Sequence, residues 1–242
     1  LIGYLTAFDP NRQGSLDRIF AACEAGLDIL ELGMPFSDPA ADGPTIQAAM
    51  GRALRAGASL DGCLEIAAQV RRRFALPIVL FGYANPLLRR EPVKLCADLV
   101  EAGINGLLVV DLPPEHCAEL RDPAREVGLD WIGLCAPTST EARIERVLAV
   151  TTGFVYAVSL TGITGTPLDA SDPALHAELA ALRSRAGIPV AVGFGIREAS
   201  QVRALAGHAD AIVVGSALVE AGQGGAEALA VKVRSLASGL VR

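Results

Sequence analysis

The chain has 242 residues, of which 51% are hydrophobic and 20% charged, and its formal net charge is -6. That apolar content supports a substantial core and argues against a disordered chain, while the acidic balance speaks against a nucleic-acid or anionic-membrane surface. No apolar run approaches the roughly 20 residues that cross a bilayer, and the opening LIGYLTAFDP lacks the basic n-region of a secretory signal.

In chain order, short apolar runs alternate with segments of helical period. IGYL (2–5) reads as a strand running straight into a turn, with a helix over Leu16–Ala25 after it. DILEL (28–32) is the second strand, followed by a Pro/Gly-rich loop and a helix over Leu60–Phe74. PIVLFG (77–82), GLLVVD (106–111) and WIGLCA (131–136) follow, separated by helices over Pro92–Glu101 and Pro114–Val127. After a helix over Glu141–Val150 come the strands GFVYAVS (153–159), PVAVGFG (189–195) and DAIVVGS (210–216). Helices over Pro173–Arg185 and Ala199–Ala206 separate them, and Ala226–Ser238 closes the chain. Most of these runs are nearly continuous in apolar residues and rich in Val and Ile, as strands covered on both faces are. Several helices open on a Ser, Thr or Asp cap. Eight such strands with helices between them and no linker predict an α/β fold, a single (β/α)8 TIM barrel over residues 1–242. A doubly wound open sheet is the alternative.

Barrel active sites lie at the C-terminal ends of the strands, and the chemistry-bearing residues collect there. In LELGMPFSDPAADGP (30–44), strand alternation puts Glu31 on the interior face with Ile29 and Gly33, and Leu30 and Leu32 on the other. A carboxylate is costly to bury ionised, so desolvation is expected to raise the Glu31 pKa and suit it to proton transfer. The plain alternative is half of an ion pair. Asp38 and Asp42 sit in the loop that follows, where Asp42 is either a solvated, ionised functional group or a turn former. Asp111, ahead of Pro113, carries the same two readings. Tyr4, Tyr83 and Phe194 are core or rim aromatics, or the lining of a pocket for an aromatic ring.

Three glycine-rich turns close the late strands: SLTGITGT (159–166), GFGI (193–196) and GSAL (215–218). Glycine lets backbone N–H groups converge on a ligand, and several such turns at one end of a barrel predict an anion nest for phosphate. The five cysteines (23, 63, 96, 117 and 135) form no C-x-x-C pair and read as small buried hydrophobes in a reducing cytoplasm. The three histidines (116, 176 and 208) have no metal-ligand spacing and read as isolated surface or helix-end residues.

With the acidic loop and the glycine turns placed, the chain resembles the alpha subunit of tryptophan synthase over essentially its whole length. ELGMPFSDPAADGPTIQ (31–47) carries the most specific part of the resemblance. GYANPLL (82–88), VVDLPPE (109–115), YAVSLTGITG (156–165), VGFGI (192–196) and VVGSA (213–217) support it. The resemblance implies retro-aldol cleavage of indole-3-glycerol phosphate to indole and glyceraldehyde 3-phosphate. It implies no cofactor in this chain and, as partner, a pyridoxal-phosphate-dependent beta subunit in an alpha-beta-beta-alpha tetramer. Matched residue by residue, Glu31 is the catalytic acid/base and Asp42 the carboxylate on the indole N–H. Gly165, Gly195, Gly215 and Ser216 match phosphate-binding positions. Tyr156 and Thr164 match residues near the catalytic groups and the closing loop, and Asp38 lies in the loop that communicates with the partner. Three features depart from the family pattern: Ala40 is small, TPLDASD (166–172) lacks a basic residue, and no short helix precedes the first strand.

Three other functions compete with this one. Indole-3-glycerol phosphate synthase shares the glycine turns, but its chemistry calls for a strand-end lysine, and Lys94 and Lys232 both fall in helical stretches. A stand-alone lyase releasing free indole would use the same site residues. A barrel kept only to regulate the beta subunit would not need an intact Glu31 and Asp42.

Overall fold

A computed structural model describes residues 1–136, 139–158, 169–193 and 195–240. Its strands are β1 (Ile2–Thr6), β2 (Ile29–Gly33), β3 (Ile78–Gly82), β4 (Gly106–Val109), β5 (Asp130–Trp131), β6 (Gly133–Cys135), β7 (Val155–Val158), β8 (Val190–Gly193) and β9 (Ala211–Val214). All pair in parallel, in the order β5-β4-β3-β2-β1-β9-β8-β7-β6. The two ends of that order are one stave of the barrel. Ile132 N–H bonds the Leu107 carbonyl on one side at 2.9 Å, and Thr152 N–H bonds the Trp131 carbonyl on the other at 2.9 Å. The stretch expected as a single fifth strand is thus divided between two neighbours, and through it the sheet closes into a (β/α)8 barrel.

Strand alternation sorts the side chains into two apolar layers. Ile2, Val79, Leu108, Ile132, Tyr156 and Val213 point into the barrel, with Ile29 and Phe81 packed against them. Leu5, Leu30, Leu32, Leu80 and Val192 point outward, onto helix residues such as Ile19, Ile66, Leu99, Leu218 and Val233. Leu30 and Leu32 are therefore exterior and Ile29 interior, as the alternation in β2 predicts.

The helices are α1 (Arg12–Glu24), α2 (Pro44–Arg55), α3 (Leu60–Arg73), α4 (Ala84–Leu88), α5 (Pro92–Glu101), α6 (Ala118–Glu126), α7 (Glu141–Val150), α8 (Pro173–Ala186), α9 (Ala199–Leu205), α10 (Ser216–Gly222) and α11 (Ala226–Ala237). Side-chain caps start several of them: Asn11 accepts from Gly14 N–H, Ser59 from Gly62 N–H and Thr140 from Arg143 N–H. α8 opens on Asp172 and Pro173, and Gly187 ends it at φ 62°.

α2, α4 and α10 go beyond the helices expected from the sequence. α2 carries the helical spacing Ile46, Ala49, Met50 and Ala53, but it begins at Pro44, straight out of a stretch that reads as a Pro/Gly-rich loop. α10 is apolar almost without interruption and merges in sequence with the strand before it. The histidines also differ from expectation, because His176 and His208 stack with ring centroids 3.6 Å apart. All five cysteines are buried and free. Among the described residues no helix is long and apolar enough to cross a membrane, and no cluster of His, Cys, Asp and Glu has metal-site geometry.

One buried ion pair holds the turn after β1. Asp9 is 5% exposed and accepts from Arg52 Nε at 2.7 Å and Nη2 at 2.9 Å, tying that turn to α2. Removing the guanidinium strands a buried carboxylate with only Arg18, 3.6 Å away. Arg52→Ala is expected to lower stability by about 1.5–3 kcal/mol, the scale of a lost charged hydrogen bond. The denaturant midpoint at constant m-value reads it.

Candidate active site

Glu31 stands in the middle of β2, paired across the sheet with Tyr4 on β1 and Val79 on β3. It is 1% exposed, and its Oε1 is buried with no hydrogen-bond partner among the described residues. The ion-pair alternative for this residue finds no support there. Burial alone raises its carboxyl to about 8, so near neutrality most of it is protonated. Such a group gives or takes a proton at neutral pH and has little structural reason to be there.

Two phenols share its surroundings. Burial first, then the charges of Asp42 and Glu31, hold Tyr4 well above its ordinary pKa. The same causes act on Tyr156, where burial is again the largest, followed by Glu31 and Asp42. Both tyrosines therefore stay neutral beside both carboxyl groups. The sheet makes room for them with glycine: a Cβ on Gly33 would overlap the Tyr4 hydroxyl, and one on Gly193 would overlap that of Tyr156. In the sequence Tyr4 is legible only as a core or rim aromatic; its register opposite Glu31 is the signal that places it in the site. Thr6 adds a weak contact, its hydroxyl 3.4 Å from that of Tyr4.

Asp42 lies in the loop between β2 and α2, and Tyr83 locks it in place. The Tyr83 hydroxyl donates to Asp42 Oδ2 at 2.6 Å and accepts from Ala41 N–H at 3.2 Å. Phe36 stacks on the Tyr83 ring at 4.9 Å. Gln47, one turn into α2, donates to the Asp42 carbonyl at 2.8 Å. The loop is thus less solvated than expected, and burial raises the Asp42 carboxyl while the Tyr83 bond lowers it. Tyr83 serves as a positioning group for Asp42 and rims the same space.

Asp111 is exposed, and its carboxylate holds backbone. Its Oδ1 accepts from Ala84 N–H at 2.7 Å, fixing the turn that carries Tyr83. Asp38 is also exposed, on the outer side of the loop after β2. It rims a cleft of about 420 Å³ shared with Phe36, Leu54, Leu60, Pro86 and Arg89.

Of the glycine turns, Gly195 adopts φ 75°, a conformation that a side chain would strain. Gln201 holds that turn by accepting from Arg197 N–H at 2.8 Å. Gly215 leads from β9 directly into Ser216, the first residue of α10. Gly165, Thr164 and Phe194 lie outside the described residues. Lys94 is on α5 and Lys232 on α11, so neither is at a strand end.

Comparison with known proteins identifies the family. A sequence profile described as tryptophan synthase alpha chain matches residues 1–239. The tryptophan synthase alpha chain of Gluconacetobacter diazotrophicus is 49% identical over 220 residues, covering 90% of this chain and 80% of that protein. A tryptophan synthase structure from M. tuberculosis superposes with TM-score 0.91 at 35% identity, covering 99% of this chain and 91% of that one. The tryptophan synthase complex of Pyrococcus furiosus gives TM-score 0.89 at 39% identity, covering 98% and 97%. The chain belongs to the tryptophan synthase alpha chain family.

Proposed function

We propose that the chain is the alpha subunit of a tryptophan synthase, a carbon–carbon lyase that cleaves indole-3-glycerol phosphate to indole and glyceraldehyde 3-phosphate. The observation that carries this is a fully buried Glu31 carboxyl, its Oε1 without a hydrogen-bond partner among the described residues, beside two neutral phenols, with Asp42 held at the same mouth of the barrel. Protonated Glu31 delivers its proton to indole C3, making the ring a leaving group. Asp42 holds the ring N–H as positive charge develops there. The Glu31 carboxylate then takes the proton from the hydroxyl on the carbon attached to the ring. The carbon–carbon bond breaks, its electrons return to the ring, and Glu31 ends protonated as it began. Two carboxyl groups in different environments divide the work.

The phosphate sits against the turns that carry Gly195, Gly215 and Ser216, and the family resemblance assigns Gly165 the same role. Tyr156 contacts the substrate, a role that the sequence also assigns to Phe194 and Thr164. Asp111 acts at one remove, through the turn bearing Tyr83. The beta subunit takes the indole and supplies the pyridoxal phosphate chemistry in an alpha-beta-beta-alpha assembly, docking beside Asp38 and the cleft it rims.

The test is indole release from indole-3-glycerol phosphate, assayed with and without a beta subunit. Slow release that accelerates with beta is the expected result; no release from folded protein in either condition would overturn the assignment. Tyr83→Phe supplies a finer check. Losing a hydrogen bond that favours ionised Asp42 is expected to lower kcat/KM roughly 10-fold. It should also move the acid limb of the pH profile upward, because the bond it removes lowers the Asp42 pKa.

A further inference from the structure

We propose that Thr45, Glu220 and Arg197 form a polar relay coupling the turn after β8 to the Asp42 loop, so that an anion at the glycine turns tightens the site's hold on an indole ring. This rests on the phosphate and indole subsites assigned above and names a device that joins them.

The relay runs through hydrogen bonds joined by the first turn of α2. Gln201 in α9 grips the turn after β8, accepting from Arg197 N–H at 2.8 Å and Glu198 N–H at 3.1 Å and donating to the Gly195 carbonyl at 3.4 Å. The Arg197 side chain crosses to α10, where it donates to both oxygens of Glu220, with Nη1 3.3 Å from Oε1. The same Oε1 accepts from the Thr45 hydroxyl at 3.0 Å, in the first turn of α2. From α2, Gln47 reaches back to the carbonyls of Asp42 at 2.8 Å and Pro39 at 3.4 Å. Glu220 thus touches both ends: the turn that carries Gly195 and the helix that carries the Asp42 loop.

Pairs this exposed contribute little to global stability, because water screens them and the long side chains lose freedom. Their effect falls on the relative order of the three loops. An anion that fixes the turns after β8 and β9 also fixes Glu220, and with it Thr45 and the start of α2. The ordering that a ring must impose on the Asp42 loop is then already in place, which makes the two ligands cooperative without a change of fold. Thr45, Glu220 and Arg197 act as positioning residues and touch neither ligand.

The experiment measures the dissociation constant of indole with and without saturating inorganic phosphate in the full chain. In the unaltered protein, phosphate is expected to tighten indole at least about fivefold. Thr45→Val and Glu220→Ala are expected to abolish that factor while leaving each ligand's separate affinity essentially unchanged. Thr45→Ser, which keeps the hydroxyl, should retain it, an outcome that a purely structural role would not produce. Survival of the full factor in Thr45→Val and Glu220→Ala would overturn the relay. So would binding of both ligands to the unaltered protein with no coupling, which leaves the proposed function standing. Binding of neither would overturn both.

Discussion

Glu31→Gln is expected to abolish indole release, lowering kcat by roughly 10²–10⁴ with little change in KM. The amide keeps the shape of the carboxyl and removes the transferable proton, so a loss confined to kcat reports chemistry. The same variant makes a prediction on stability. The Glu31 carboxyl titrates near 8 in the folded chain against an ordinary value of 4.5, so the folded state binds more protons across that interval. Its contribution is therefore fully present below 4.5 and lost as pH rises through 8. Glutamine has no such dependence. The melting temperature of Glu31→Gln should gain on that of the unaltered chain as pH increases across this window, with no further gain above it. In the active protein, kcat/KM should fall on the basic side as pH passes about 8, because the first step needs the acid form. A parallel pH dependence of stability in both proteins would mean that Glu31 is not the buried, protonated group described here.

The barrel and most of the acidic site are legible in the sequence for a physical reason. Strands covered on both faces must be apolar throughout, so a single Glu in DILEL stands out against its neighbours, and period-2 alternation fixes its direction. The cross-strand register is not written locally, and with it goes the partnership of Glu31 and Tyr4. The same holds for Asp42. A Pro/Gly loop looks solvated in sequence, and its partial burial comes from Tyr83, which is 41 positions away and delivered by another strand. The relay through Glu220 is hidden for the same cause, since Thr45 and Glu220 are 175 positions apart. α2 is hard to see because it starts at Pro44, directly out of the Pro/Gly-rich loop, so its apolar spacing is taken for a continuation of that loop. What is written locally is the type of element and the face it buries; what is not is which distant side chain completes a charge.

Asp42→Asn separates binding from stability most sharply. Asparagine keeps an oxygen to accept from Tyr83, so the loop should hold its shape, while the charge proposed to face the ring N–H is gone. A hydrogen bond to a charged group is worth about 1.5–3 kcal/mol, so kcat/KM should fall roughly 10- to 100-fold. Stability should move the other way. Burial raises the Asp42 carboxyl in the folded chain, so its contribution is present below the ordinary value of 3.8 and lost as pH rises through the folded one. At neutral pH the charge is held against its environment, and the asparagine variant should melt at an equal or higher temperature. Losing the charge also removes one of the causes that keep Tyr4 and Tyr156 protonated, so both phenols should titrate at lower pH in the variant. Ligands distinguish charge from shape. Indole should bind the variant more weakly than the unaltered protein, whereas benzothiophene, with sulfur in place of the N–H, should bind both alike. Equal weakening of the two ligands would show that Asp42 shapes the pocket without holding the ring nitrogen.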